Sequence, residues 1–407
     1  MNILFFTLID FDSIKEHGIY QDLLREFTNN NHRVYIISPV ERRKNKHTYL
    51  IEEENVVILK LRIGNIQKTN LIEKGISTIL IESKFINAIK RYFSDVNFDL
   101  VLYSTPPITF CNAIMFVKKR DGAKTYLLLK DIFPQNAVDM GMIKCSGVRG
   151  ILYKFFRDKE RKLYAVSDYI GCMSQANVNY VLQHNPEIDS KVVEVCPNCM
   201  EVIDKSINKE ERINIRTKYG IPLDKTVFIY GGNLGKPQGI NFLIKCLYSQ
   251  RRNLKVFFLI VGNGTEYKKL EEFSKWYPQE NLKVMNWLPK EDYDIIVGAC
   301  DVGMIFLDHR FTIPNFPSRI LSYMQAKIPV LACTDKNTDV GTVITDGGFG
   351  WWCESKYVNE FVETINHIIG QNLKYYGMNG YNYMKKYYGN KVCYEIIISH
   401  MNSDIGN

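Results

Sequence analysis

The chain has 407 residues, 46% of them hydrophobic and 24% charged, with 26 Gly and 13 Pro. This make-up excludes collagen-like, low-complexity and wholly disordered chains, and the length suggests two domains. The net charge of +8, from 52 Lys and Arg against 44 Asp and Glu, falls short of a dedicated nucleic-acid binder.

Apolar strands alternate with amphipathic helices along both halves. The first half reads as strand Ile3–Ile9, helix Gly18–Asn30, strands Arg33–Val40 and Val56–Ile63, and a long helix Ile72–Phe93. Strand Phe98–Thr105, helix Thr109–Arg120, strand Lys124–Ile132 and helix Ile151–Val166 follow. Strand Tyr169–Ser174, helix Gln175–Gln183 and strand Lys191–Cys196 close it. The second half runs through strands Thr226–Tyr230, Leu254–Val261, Leu282–Trp287, Asp301–Leu307 and Pro329–Cys333. Helices Ile240–Gln250, Glu266–Trp276, Lys290–Ala299 and Ser318–Ala326 lie between them, and the chain ends in helices. Such alternation predicts an α/β protein with two Rossmann-like, doubly wound parallel-sheet domains. The polar stretch Asn198–Leu223 separates residues 1–199 from residues 200–390, and residues 391–407 are expected to return to the first domain. Ligands of such sheets bind at the carboxyl ends of the strands, so a cleft between the two domains is expected to hold an anionic small molecule.

The loops after the strands carry the candidate chemistry. Tyr230-Gly231-Gly232-Asn233-Leu234-Gly235-Lys236-Pro237-Gln238-Gly239 joins a strand to a helix, with Gly232 for close backbone approach and Lys236 for charge. It is a phosphate cradle in physical terms, although it is neither G-x-G-x-x-G nor a Walker loop. Ser318 and Arg319 open a helix and can present a hydroxyl, amides and a guanidinium to a diphosphate; an ordinary N-cap with a solvated Arg is the plainer reading. Gly262 and Gly264 suit backbone contact with a base or ribose, or a simple turn. Trp287 suits a base pocket or the core. In the first half, Lys130 and Asp131 interrupt an apolar strand at its carboxyl end. Asp131 there can accept a proton or stabilise positive charge, whereas a solvated strand end is the simpler alternative. Thr105 ends the preceding strand, and His17 and Gly18 sit in the loop after the first. The sequence has no metal-binding or serine-hydrolase signature.

Ten cysteines, mostly in apolar segments, suit a reducing cytoplasm, and Cys196-Pro197-Asn198-Cys199 lacks a partner pair for zinc. No run approaches the roughly 20 apolar residues that span a bilayer. Lys144–Lys162 holds seven basic and two acidic residues, with Ile151, Leu152, Phe155 and Phe156 among them. A basic helix around residues 149–162 can lie on an anionic membrane, or can pack on the sheet with its charges solvated.

Taken together, the motifs resemble family-4 glycosyltransferases of the GT-B fold, over nearly the whole chain. They are Gly18, Asn31-His32-Arg33-Val34, Gly231-Gly232-Asn233 to Gln238-Gly239, Gly262-Asn263-Gly264 and Pro317-Ser318-Arg319…Tyr323-Met324…Pro329-Val330. The branch that builds bacterial capsule and O-antigen repeats, including N-acetylfucosamine transferases, is the nearest. Its Asp-Leu-Trp-Pro-Glu is similar to Asp131-Ile132-Phe133-Pro134-Gln135, and its Ser-Pro-Pro to Thr105-Pro106-Pro107. The resemblance implies a metal-independent, retaining transferase without a cofactor, using a nucleotide-diphosphate sugar, most often UDP. Asn233, Lys236, Ser318 and Arg319 would contact the diphosphate, and Asp131 would stand near the reacting sugar. The acceptor would be a polyprenyl-linked saccharide, reached by a cytoplasmic enzyme peripheral to the inner face of the cell membrane. An epimerase of the same fold and a non-catalytic sugar-nucleotide binder are the alternatives. The family's paired glutamates, with seven residues between them, are replaced here by Pro314 and Ser322.

Overall fold

Runs such as Val56–Leu59 and Val256–Val261 are too continuously apolar to leave one face in water, and they form strands covered on both faces. The computed structural model describes residues 1–66, 71–147 and 150–402. It divides into two units, Met1–Glu201 with the chain from Asn390 onward, and Val202–Gly389.

Unit 1 contains β1 (Asn2–Phe6), α1 (Ile19–Asn29), β2 (Arg33–Glu41), β3 (Tyr49–Glu53), β4 (Val56–Ile63), α2 (Leu71–Tyr92) and β5 (Leu100–Ser104). It continues with α3 (Cys111–Asp121), β6 (Lys124–Leu129), α4 (Gln135–Asp139), α5 (Gly150–Val166), β7 (Tyr169–Cys172), α6 (Gln175–His184) and β8 (Val193–Val195). The sheet order is β3-β4-β2-β1-β5-β6-β7-β8, parallel except for the β3–β4 pair. Strand β3 departs from the expected pattern: it alternates half-buried and exposed residues at the sheet edge, so no apolar run announces it. The last strand is shorter than expected, because residues 190–192 form a 3-10 turn in which the Asp189 carboxylate accepts the Lys191 N–H. Lys130 and Asp131 lie beyond the end of β6 rather than within it.

Unit 2 contains α7 (Lys209–Lys218), β9 (Thr226–Asn233), α8 (Ile240–Ser249), β10 (Val256–Asn263), α9 (Tyr267–Trp276), β11 (Leu282–Met285), α10 (Lys290–Ala299) and β12 (Val302–Phe306). Then come α11 (Arg319–Gln325), β13 (Val330–Thr334), α12 (Val340–Asp346), β14 (Gly350–Glu354), α13 (Val358–Ile368) and α14 (Leu373–Tyr387). All strands are parallel, in the order β11-β10-β9-β12-β13-β14. After Pro329–Cys333 the chain therefore does not run through helices alone. The five residues Gly-Trp-Trp-Cys-Glu add β14 at the edge, with Cys353 beside Cys333.

Helix α15 (Asn390–Asn402) rejoins unit 1. Tyr394 meets Phe27 edge to face at 5.0 Å, and His400 stacks on Tyr169 at 3.8 Å with its Nε2 2.8 Å from Glu194. Cys393 enters the core beside Cys196 and Cys199, giving the C-x-x-C pair a packing role. Among the described residues no helix is long and apolar enough to cross a membrane.

One buried ion pair ties unit 2 together. Arg216, 2% exposed, donates to Asp301 at 2.6 Å and to the carbonyls of Ala299 and Pro222, while the same carboxylate oxygen accepts the Val227 N–H at 2.8 Å. Breaking a buried pair from one side costs about 3–5 kcal/mol, whereas exposed pairs contribute about 1 kcal/mol or less. Arg216→Met is expected to destabilise unit 2 by about 3 kcal/mol in urea unfolding. Lys268→Ala, at an exposed helix pair, should leave the transition within about 1 kcal/mol of wild type.

Candidate functional site

In a doubly wound sheet, the winding direction reverses between two neighbouring strands, and the loops leaving their carboxyl ends part into a crevice. In unit 2 this point lies between β9 and β12, because β10 and β11 extend the sheet on one side and β13 and β14 on the other. The loop after β9 and the loop after β12 meet there, with the Asp308 N–H donating to the Pro237 carbonyl at 2.9 Å.

The glycine-rich loop is shaped from beneath. Gly232 has φ +109°, a conformation that favours glycine, and it is exposed together with Asn233 and Lys236. A Cβ on Gly262 would lie 2.0 Å from the Gly232 carbonyl oxygen, and one on Gly264 would lie 2.5 Å from that of Leu234. Both glycines thus let β10 and its loop run close under the end of β9, and Gly262 is buried there. Gln238 accepts the Gly235 N–H at 3.0 Å and lies 3.4 Å from Asn233 Nδ2, which fixes the loop from within. The Lys236 ammonium makes no hydrogen bond or ion pair among the described residues.

Arg319 is the first residue of α11. Its guanidinium stacks 4.4 Å from the centre of the Tyr230 ring, beside Gly232, with Tyr293 and Tyr323 close enough to act on its charge. Its Nη1 is buried without a hydrogen-bond partner, and so is Asn315 Nδ2 four residues earlier. A buried donor left unpaired costs about 1–3 kcal/mol, more if charged. Two such donors at one loop therefore define a place for an acceptor-rich ligand. Ser318 is exposed and already helical, at φ −64° and ψ −18°, and it makes no cap bond, so the N-cap reading fails. Trp287 follows the edge strand β11 and is 67% exposed, which removes it from the core.

In unit 1 the loops after β5 and β6 are stitched together by Thr105. Its buried hydroxyl accepts the N–H groups of Lys130 and Asp131, each at 3.1 Å, and donates to the Asp131 carbonyl at 2.9 Å. Lys130 Nζ turns to the Pro197 carbonyl at 3.2 Å. Burial pushes the Asp131 carboxyl up to about 6, against the opposing effect of Asn136, whose Nδ2 donates to both oxygens at 2.8 and 2.7 Å. Asp131 thus changes charge near neutral pH. A recess of about 40 Å³ beside its loop is lined by Pro134, Gln135, Tyr153, Arg157, Tyr180 and His184.

His17 and Gly18 lie in the loop after β1. His17 Nδ1 is 3.5 Å from Asp22 and 3.7 Å from Glu201, but Arg25 engages both carboxylates at 2.6 and 3.0 Å. The Gly18 N–H donates to Asp22 at 3.1 Å. This cluster is an ion-pair network that holds the loop. Farther along it, the buried Lys60 ammonium binds Asp10, the Phe11 carbonyl and Asp12.

The basic helix is altered by partners distant in sequence. Arg157 is committed to Glu160 and Asn185, Lys159 lies 3.9 Å from Glu82, Arg161 faces Glu187, and Lys162 pairs with Asp158. Arg149 lies outside the described residues. Ile151, Leu152 and Phe155 do not pack on the sheet; they are 68%, 50% and 48% exposed, and only Phe156 turns inward against Phe133 at 5.0 Å.

Sequence reading missed Asn315, Asn136, Tyr293 and Asp308. Tyr293 occupies the space in which a Cβ on Gly231 would fall. The signal for Asp308 was a carboxylate directly following a buried strand. Nothing in the local sequence marks the other three.

Residues 211–387 match the family model described as group 1 glycosyl transferases. A probable glycosyltransferase, WbjE, from Pseudomonas aeruginosa is 23% identical over 312 residues, covering 76% of this chain and 75% of that protein. WcaI of Escherichia coli, a putative colanic acid biosynthesis glycosyl transferase, is 24% identical over 199 residues, covering 48% and 47%. Sucrose-phosphate synthase from Thermosynechococcus elongatus has a TM-score of 0.77 at 13% identity, covering 99% of this chain and 98% of its own. Anabaena Alr3699/HepE in complex with UDP-glucose has a TM-score of 0.70 at 14% identity, covering 99% and 100%. The fold is that of the GT-B glycosyltransferases, and most of unit 2 matches a group 1 glycosyl transferase domain.

An acid whose folded pKa is raised binds its proton more tightly when folded, so stability falls as pH rises from about 4 to about 6. Asp131→Asn removes that cost. It is expected to stabilise unit 1 by on the order of 2 kcal/mol at pH 8 and to change little at pH 4, read from urea unfolding at both pH values.

Proposed function

We propose that the protein is a retaining glycosyltransferase that moves a sugar from a nucleotide diphosphate, UDP, to a polyprenyl-linked saccharide. The observation that carries this reading is the pair of buried donors, Arg319 Nη1 and Asn315 Nδ2, that have no partner among the described residues, with the exposed Lys236 in the loop after β9. When the sugar leaves its nucleotide, negative charge develops on the diphosphate. Donors already fixed in place stabilise that charge without reorganising. Arg319 and Lys236 supply positive charge, Gly232 and Asn233 bring the backbone close, and Ser318 adds a hydroxyl. No metal enters this scheme, because two side-chain cations do the work of charge neutralisation. The UDP-glucose named with the Anabaena structure supports a UDP-linked donor.

Asp131 is the group assigned to the acceptor hydroxyl. Its carboxyl is pushed up to about 6, so at neutral pH it is charged and basic enough to take a proton. The place of the family's two glutamates is taken by Pro314, which is buried, and Ser322, which is half-buried, so the nucleoside is held by other groups. Unit 1 is the acceptor side. The exposed Ile151, Leu152 and Phe155, with the exposed Lys154 between them, form its contact with an anionic membrane. The weakened charge of α5 makes this contact more apolar than a count of its Lys and Arg suggests.

Arg319→Ala and Lys236→Ala are each expected to weaken UDP binding at least tenfold in calorimetric titration, since a charge-assisted bond contributes about 1.5–3 kcal/mol. Unchanged affinity in both variants would sink the donor site. Asp131→Asn should lower turnover far more than UDP affinity, and wild-type turnover should fall below pH 6 as the carboxylate takes up a proton. Incubation with a UDP-sugar alone separates the rivals, because epimerised sugar in the absence of an acceptor would overturn the transferase reading.

A further inference from the structure

Unit 2 carries an exposed aromatic and cationic surface on the edge of its sheet opposite the glycine-rich loop. The glycine-rich loop leaves the carboxyl end of β9, whereas this surface is built from the two loops that lead into the amino ends of β10 and β11. Trp276 is 78% exposed, Leu254 69%, Tyr277 54% and Tyr248 42%. The two loops form one surface. Tyr248 and Tyr277 meet edge to face at 5.6 Å, and Asn281 Nδ2 donates to the carbonyls of Gln250 and Asn253 at 2.8 and 3.1 Å. Arg251 stacks on Tyr248 at 4.0 Å and donates to its carbonyl at 2.9 Å.

Around these rings stand Arg251, Arg252, Lys255 and Lys275, all exposed. Of the nearby acids, Glu271 is 3.5 Å from Lys275, and Glu280 is exposed. The surface thus combines Trp, Tyr and Leu, at helix ends and in the loops that follow them, with a net positive rim, and the donor site uses none of them. Large apolar side chains exposed together at this level mark an interaction surface.

We propose that this surface docks unit 2 on an anionic lipid surface, independently of α5 in unit 1. Trp and Tyr partition to the headgroup level, where their rings are apolar and their N–H and O–H groups stay wet. Each Lys or Arg near an anionic leaflet adds attraction that salt screens. A second copy of the chain is the less fitting occupant. A two-fold contact through this patch would set Arg251, Arg252 and Lys255 against their own copies.

The test uses the full chain carrying Ile151→Ser and Phe155→Ser, so that α5 contributes nothing. Sedimentation with phosphatidylcholine vesicles, with and without phosphatidylglycerol, is expected to show binding only to the anionic set, weakened by added salt. Adding Trp276→Ser and Leu254→Ser should lower that binding at least tenfold. Arg251→Gln with Arg252→Gln should reduce it while leaving UDP binding unchanged, which also reports that unit 2 is folded. Binding that falls by less than tenfold on Trp276→Ser with Leu254→Ser would overturn the proposal. So would the absence of binding to anionic vesicles, or a dimer of the parent chain that those two substitutions dissociate. Loss of UDP binding through Arg319→Ala bears on the donor site alone and leaves this outcome untouched.

Discussion

The close passage of β10 under the end of β9 is the constraint on which the loop cluster of unit 2 rests. A side chain at residue 262 would fall 2.0 Å from the Gly232 carbonyl, so only a bare backbone allows the two strands to stay paired to their last residues. Held from below, Gly232 turns into its left-handed conformation and leaves room for Arg319 beside it. The hydrogen bond from Asp308 to Pro237 then joins this loop to the one that delivers Asn315 and Arg319. Three loops from separate strands thereby act as one rigid body. Fixed donors of this kind are what a developing negative charge requires.

Unit 1 solves a different problem, that of keeping a carboxyl in an apolar setting while leaving it able to ionise. Thr105 fixes the backbone on both sides of Asp131, and Asn136 supplies two donors to its side chain. Those bonds oppose the effect of burial without cancelling it. The balance places the titration where a small change in surroundings switches the charge. The loop after β1 uses the opposite device, a buried cation, Lys60, that gathers Asp10 and Asp12 around itself.

Much of this was legible in the sequence wherever one residue type had one physical reason to be present. Gly231-Gly232-Asn233 through Lys236 broke an apolar strand with residues that no core would tolerate, and the loop stood out. Asp131 did the same after β6. Two edge strands, β3 and β14, escaped notice: β3 alternates half-buried and exposed residues, and β14 is a five-residue strand opening on Gly. Partnerships across long sequence separations were invisible as well. The tyrosines around Arg319 come from β9, α10 and α11, and the acids that quiet the basic helix, Glu82 and Glu187, lie on either side of it in sequence. Gly262 was read as a contact with a base or ribose or as a simple turn, and its bare backbone also lets β10 pass close under β9.

The return of α15 to unit 1 makes unit 2 an insertion within unit 1 rather than an appendage to it. Tyr394, His400 and Cys393 complete contacts with Phe27, Tyr169 and the Cys196 region, which precede them by about half the chain or more. During synthesis, the first 201 residues therefore emerge without the helix that covers part of their core, and they must wait for Val202–Gly389 to be made. At roughly 5–20 residues per second, that delay is on the order of ten seconds or more. Over that interval the apolar side chains that α15 covers in the finished core are without that cover.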